Sequence, residues 1–247
     1  MLATILALLT SDARTSYPWP LCWGNALWGY VAFLKHDATQ PSELRQGAVF
    51  GLIGSFVLYT MPANLFTNWL VFGRTPTSVI SATVIPVHLV CCLAIALCPG
   101  NLLFRLLALP IPYAIIDSLG VFDNATTAFN YMEEAFASTG SVCLAYAAAM
   151  AVNLAGGVVR HFAYNGYSKG AATFDEKLRA NVAYSFAASS LYFWGAVHPC
   201  AGNSTFHCLD ATRLYEVLPW IAVTRNLWPD LLAAWRSVSG GSKEKAA

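Results

Sequence analysis

The sequence is short of charge. Only 11% of its 247 residues are Asp, Glu, Lys or Arg, against about 25% in a soluble domain, which leaves too little to coat a water-facing surface. Nor is one sign in surplus: 14 basic side chains against 13 acidic ones give a formal net charge of +1. No basic face is therefore expected for nucleic acid, which needs clustered Lys and Arg. Gathered ligands and catalytic groups are scarce too. His36, His88, His161, His198 and His207 stand singly, none at zinc-ligand spacing with a cysteine, whereas an enzyme needs such groups at catalytic spacing. Neither an enzymatic activity nor a cofactor or metal is expected. The opening stretch MLATILALLTSDART has no basic residue before its apolar core, which makes it a poor signal peptide; it is expected to persist as a short interfacial helix.

What the chain does have is long apolar runs, with 57% of its residues hydrophobic. A helix needs about 20 mostly apolar residues to cross a bilayer core. Seven such stretches are read: Tyr17 to Leu34, Ala48 to Phe72, Val79 to Leu97, Leu102 to Phe122, Phe136 to Val159, Val182 to Val197, and Leu214 to Trp235. The expected fold class is all-α, a polytopic membrane protein with seven transmembrane helices in one domain over 1–235, followed by a short cytosolic tail, 236–247. The second span holds Gly51, Gly54 and Pro62, the fifth Gly140, Gly156 and Gly157. Missing side chains or a missing N–H loosen a helix there, so both spans are expected to be kinked or closely packed.

That recurrence predicts an internal repeat. Spans one to three (about 17–98) and four to six (about 101–197) each carry a glycine-bearing helix in the middle. Three crossings per unit invert the second unit relative to the first, leaving the seventh helix (about 214–235) outside the pair. Inverted repeats set a path at their interface, and interrupted segments point to it. Here those are GLIGSFVLYTMPANLF and AVNLAGGVVRHF.

Several signals agree on orientation. Lys35 and Arg45, Arg105, the group Arg160, Lys169, Lys177 and Arg179, and finally Arg236, Lys243 and Lys245 follow the odd-numbered spans, while the other breaks hold only Arg14, Arg74 and Arg213. By the positive-inside rule the amino terminus lies outside the cytosol and the carboxyl terminus inside it. The glycosylation sequons at Asn124 and Asn203 both fall on the non-cytosolic side. The tail, with Lys243 fifth and Lys245 third from the end, resembles the dilysine retrieval signal of endoplasmic-reticulum membrane proteins. Cys200 and Cys208 flank Asn203 in a break facing an oxidising lumen, where a disulfide would persist. Cys22, Cys91, Cys92, Cys98 and Cys143 lie in or beside spans, as small apolar fillers do.

The run FLKHD from Phe33 to Asp37, GSFVLY from Gly54, and CPGNLLFR from Cys98 to Arg105 resemble segments of the trimeric intracellular cation channels, the TRIC family. GGVVRH from Gly156 to His161 is similar to the fifth-helix motif of the bacterial members. The likeness covers Tyr17 to Trp235 in the order and spacing of spans, and is residue-level only in those patches. It implies a homotrimer whose protomers each carry a cation pathway lined by the second and fifth helices. It also implies potassium-selective counter-ion flow balancing calcium release from the endoplasmic or sarcoplasmic reticulum. Carried over are Gly54 and Ser55 in the second span and Gly156, Gly157 and Arg160 in the fifth.

On physical grounds, interrupted helices free backbone carbonyls that can replace part of an ion's hydration shell, and Thr60, Asn64 and Asn153 are expected to extend such a lining. Glycines in membrane helices also serve close packing. One departure stands out: vertebrate and worm members carry Lys, then Arg four residues later, on the fourth helix, tied to voltage response and phosphoinositide binding. Here LPIPYAIIDSLGVFDN has no basic residue and instead shows Asp117 and Asp123, so phosphoinositide binding is not carried over, and the lipid partners expected are those of the membrane at large. Asp117, like Arg160 and Arg225, is costly inside a span and by default a candidate cation or gating site, or else a protonated or helix-paired acid. The alternative to a potassium channel is an inverted-repeat secondary transporter for a small solute or ion, with Asp117 and Arg160 as a coupling pair.

Overall fold

The computed structural model describes residues 20–76, 79, 84–165, 176–198 and 211–240, and all regular structure among them is helical. Helix α1 spans Pro20–Thr39, α2 Gly47–Val71, α3 Val84–Ala96, α4 Leu102–Leu107, α5 Pro110–Thr139, α6 Val142–Asn165, α7 Glu176–Tyr192 and α8 Ala211–Gly240. The opening stretch 1–19, the loop bearing Cys200, Asn203 and Cys208, and the tail with Lys243 and Lys245 lie outside the described residues.

The FLKHD patch builds the turn from α1 into α2. Asp37 accepts the backbone N–H groups of Gln46 (2.8 Å) and Gly47 (3.1 Å), two donors that a helix start otherwise leaves unsatisfied. Arg45 returns to the carbonyls of Ala38 (3.1 Å) and Gln40 (3.0 Å). Within α2 the backbone widens into π-helical stretches at Phe56–Thr60 and Leu65–Val71. Pro62, between them, has no N–H to offer the carbonyl of Leu58 four residues earlier. The fifth-span glycines act differently: α6 is an unbroken α-helix through Gly156 and Gly157. Of the two outcomes expected, a kinked or a closely packed span, α2 shows π-helical breaks around Pro62, while α6 stays regular with Gly157 close against Leu178.

The fourth span also departs from expectation. The chain passes through extended Cys98 and left-handed Gly100 (φ 63°) and Asn101 (φ 54°), with a 90° bend between Val84–Ala96 and Pro99–Leu107. The chain then restarts at Pro110, whose fixed φ suits a first helical turn. From there α5 runs 30 residues without a break, absorbing Asp123 to Ala135, which the sequence presented as a polar lumenal break. It stops at Gly140, left-handed with φ 67°, whose N–H bonds the carbonyl of Phe136 at 2.7 Å.

Helix α1 packs on α2, α3 and α5; α5 on α6 and α8; and α6 on α7 and on α2 from Phe56 to Val71. Polarity is turned inward. Ser55, Asn68, His88, Asp117 and Ser189 are buried, whereas Phe50, Ile53 and Val57 on α2 and Leu89, Val90 and Leu93 on α3 are exposed. Among the described residues Gly47–Val71 and Val142–Tyr164 are long and apolar enough to cross a membrane, and α3 with the bent segment after it is a third candidate.

Candidate functional site

A cavity of about 330 Å³ lies among α1, α2, α5, α6, α7 and α8. Helical spacing builds its wall. Asn153, Gly157, Arg160 and Tyr164 recur at three- and four-residue intervals on one face of α6, and so do Asp117, Gly120 and Asn124 on α5, with Arg225 and Asn226 on α8. The result is a polar wall inside a bundle whose outside is apolar.

Arg160 reaches across from α6 to α2. Its Nη1 donates to the Leu58 carbonyl at 3.3 Å, the carbonyl that Pro62 cannot serve. Its guanidinium carbon lies 4.6 Å from the centre of the Tyr59 ring and 5.2 Å from that of Trp28. The hydroxyls of Tyr59 and Tyr164 are 2.9 Å apart, and the Tyr164 ring stacks on His36 with centroids 3.5 Å apart. Arg225 is held separately: Nη2 donates to Asn181 Oδ1 at 3.0 Å, and the guanidinium lies 5.2 Å from the Tyr184 ring centre. The acids face amides, Asn226 donating to Asp117 at 3.0 Å and Asn25 to Asp123 at 2.7 Å. Buried ionisable groups in a low-dielectric bundle require such partners.

Of the sequence-predicted residues, Asp117, Asn153, Gly157 and Arg160 line this cavity together. So does Asn124; its sequon sits within α5 against the cavity, not in a loop. Gly54 and Ser55 serve helix contacts instead. A Cβ on Gly54 would stand 2.5 Å from Phe33 Cε2 of α1, and the Ser55 hydroxyl, fully buried, lies 3.0 Å from His88 Nε2 of α3. Gly156 gives room to the arginine, since a Cβ there would meet Arg160 Nη1 at 3.0 Å. The Thr60 hydroxyl is buried without a hydrogen-bond partner among the described residues.

Asn64 belongs to a second polar cluster at the far end of α2. It accepts from Asn68 Nδ2 at 2.8 Å; the same amide donates to the Tyr131 hydroxyl at 3.0 Å, and its Oδ1 accepts from Arg74 Nε at 2.5 Å. Arg74 completes the cluster with two hydrogen bonds to Glu134, at 2.5 and 3.0 Å. Those bonds, more than charge alone, raise the Arg74 pKa above its ordinary value.

Tyr59, Tyr164, Trp28, Asn181 and Asn226 are site residues that sequence reasoning passed over. The adjacent Arg225-Asn226 pair in an apolar span was a signal for α8; aromatic rings in membrane helices are too common to be one. Among the described residues no group of three or more His, Cys, Asp or Glu is gathered to hold a metal. No model of a known protein family matches the chain, and no curated protein matches it. The likeness to the trimeric cation channels rests on the four patches quoted above.

Proposed function

We propose that the chain is a multi-pass channel for monovalent cations, potassium first, in the endoplasmic-reticulum membrane, supplying counter-ion flow during calcium release. The observation that carries this reading is the polar, charge-lined cavity that α6 shares with α1, α2, α5, α7 and α8; α2 and α6 are also helices apolar enough by themselves to cross a membrane. Ionisable groups inside a membrane bundle pair with polar partners or face a water-filled path, and they mark ion and substrate pathways. The crossings proposed are α1, α2, α3, α5, α6, α7 and α8, seven in all, with α4 as the bent link. Two inverted triplets are supported by the contacts: first helix meets first helix (α1 on α5), and second meets second (α2 on α6). Basic breaks put the amino terminus in the lumen, and assembly as a homotrimer with one path per protomer follows the family likeness.

The test is recording from the purified chain in planar bilayers under a potassium gradient. Single openings that reverse near the potassium potential are expected; intact trimers without conductance would overturn the reading. A second reading draws on Asp117, Arg160 and Arg225 lining one shared cavity, as coupling groups in a carrier do. Saturable, stoichiometric exchange in place of single openings would select the transporter.

A further inference from the structure

We infer that the guanidinium of Arg160 occupies a cation site built into the wall between α2 and α6, and that a weakly hydrated monovalent cation takes the same site when the arginine withdraws. The inference rests on the channel reading and names what that path binds and what closes it.

The site is made of cation ligands. The Leu58 carbonyl, which has no i+4 donor because residue 62 is proline, accepts from Arg160; carbonyls at helix breaks are groups that can replace ion hydration. The ring faces of Tyr59 and Trp28 complete it, both within the roughly 6 Å over which an aromatic quadrupole attracts a cation. The hydrogen bond between Tyr59 and Tyr164 braces one ring in position, and Asp117 adds a carboxyl to the same cavity. Gly156 is the other half of the device, because its missing side chain lets the guanidinium lie back along its own helix. Arg160 is thus a tethered cation, seated where a mobile one would otherwise bind.

The experiment compares potassium flux through liposomes carrying the full-length wild type, Arg160→Gln and Arg160→Lys, with and without added guanidinium chloride. Arg160→Gln is expected to raise basal flux about thirtyfold, the factor that one lost desolvated cation–π contact corresponds to. Millimolar guanidinium is expected to restore the block in Arg160→Gln, to raise that variant's unfolding temperature, and to leave wild type unchanged. Unaltered flux in Arg160→Gln, with no effect of guanidinium, would overturn the site while wild-type conductance upholds the channel. If no form conducts, the channel reading fails, and the guanidinium-induced rise in unfolding temperature, present or absent, still decides the site. Should Arg160→Gln not fold, Gly156→Ala keeps the charge but displaces Nη1; raised basal flux supports the site, and unchanged flux overturns it.

Discussion

Glycine at two positions of the quoted patches does different work, and a leucine at each separates packing from passage. At Gly54 the neighbour is the Phe33 ring, close enough that any side chain forces α1 and α2 apart; overpacking of this kind costs about 1–3 kcal/mol. Gly54→Leu is expected to lower the unfolding temperature in detergent and to lose flux only in step with lost protein. Gly157→Leu meets the flexible end of Leu178, 2.7 Å from the added Cβ, and projects into the cavity. Flux should fall there while the unfolding temperature changes little. A further residue-scale expectation concerns Asp123, whose amide partner is Asn25. Asn25→Ala strands a buried acceptor at about 1–3 kcal/mol, and adding Asp123→Ala should recover part of that loss, measured as a double-mutant cycle on unfolding temperature. Which residues were legible in the sequence follows from backbone regularity. On the unbroken α6, Gly157 and Arg160, named from the resemblance, and Asn153, named as a polar residue of the same span, fall on one face because the helical register holds throughout. On α2 the π-helical stretches shift the side chains after Phe56 out of the 3.6-residue register, so Thr60 and Asn64 could not be placed by counting from Gly54.

At the scale of elements, α5 shows why a polar run is not always a break. Asp123, Asn124 and Thr126 look like loop residues, yet Asp123 is answered by Asn25, and the Thr126 hydroxyl bonds back to the carbonyls of Phe122 (3.2 Å) and Asp123 (3.0 Å). Partners on other elements cannot be read from local composition; Pro110 and Gly140 mark the helix ends through their own backbone chemistry, a signal that the apolar runs around both residues masked. The consequence for modification is direct. Asn124→Gln is expected to leave the chain's mobility on a gel, before and after glycosidase, unchanged, and Asn203→Gln to abolish whatever shift the wild type shows. A shift lost with Asn124 would mean that α5 is not helical there in the cell. The Arg74–Glu134 pair ties the end of α2 to α5, but its side chains are 40% and 43% exposed. Glu134→Gln should therefore change stability by no more than about 1 kcal/mol.

For the whole molecule, the decisive arrangement is an apolar exterior around polar contacts. The membrane class was legible because composition reports it whatever the packing. The angle of the bend after α3 was not: the break at Cys98 to Asn101 is legible, but its right angle follows from backbone torsions there, extended Cys98 and left-handed Gly100 and Asn101. Orientation is checked with exposed residues at opposite ends: Lys35→Cys should react with a membrane-impermeant thiol reagent added to sealed microsomes, and Arg74→Cys only after the membrane is permeabilised, once each is set against the same protein without the added cysteine. The reverse pattern would invert the proposed topology.

The unbroken run of α5 carries one more consequence. At 1.5 Å per residue its 30 residues measure about 45 Å, against roughly 30 Å of hydrocarbon. A crossing helix that outreaches its bilayer answers changes in thickness by tilting, and α5 carries Asp117 on one arm and Glu134 on the other. If it crosses as proposed, the bilayer itself becomes a lever on the cavity: lipids with shorter or longer chains would reset the angle at which Asp117 meets Asn226.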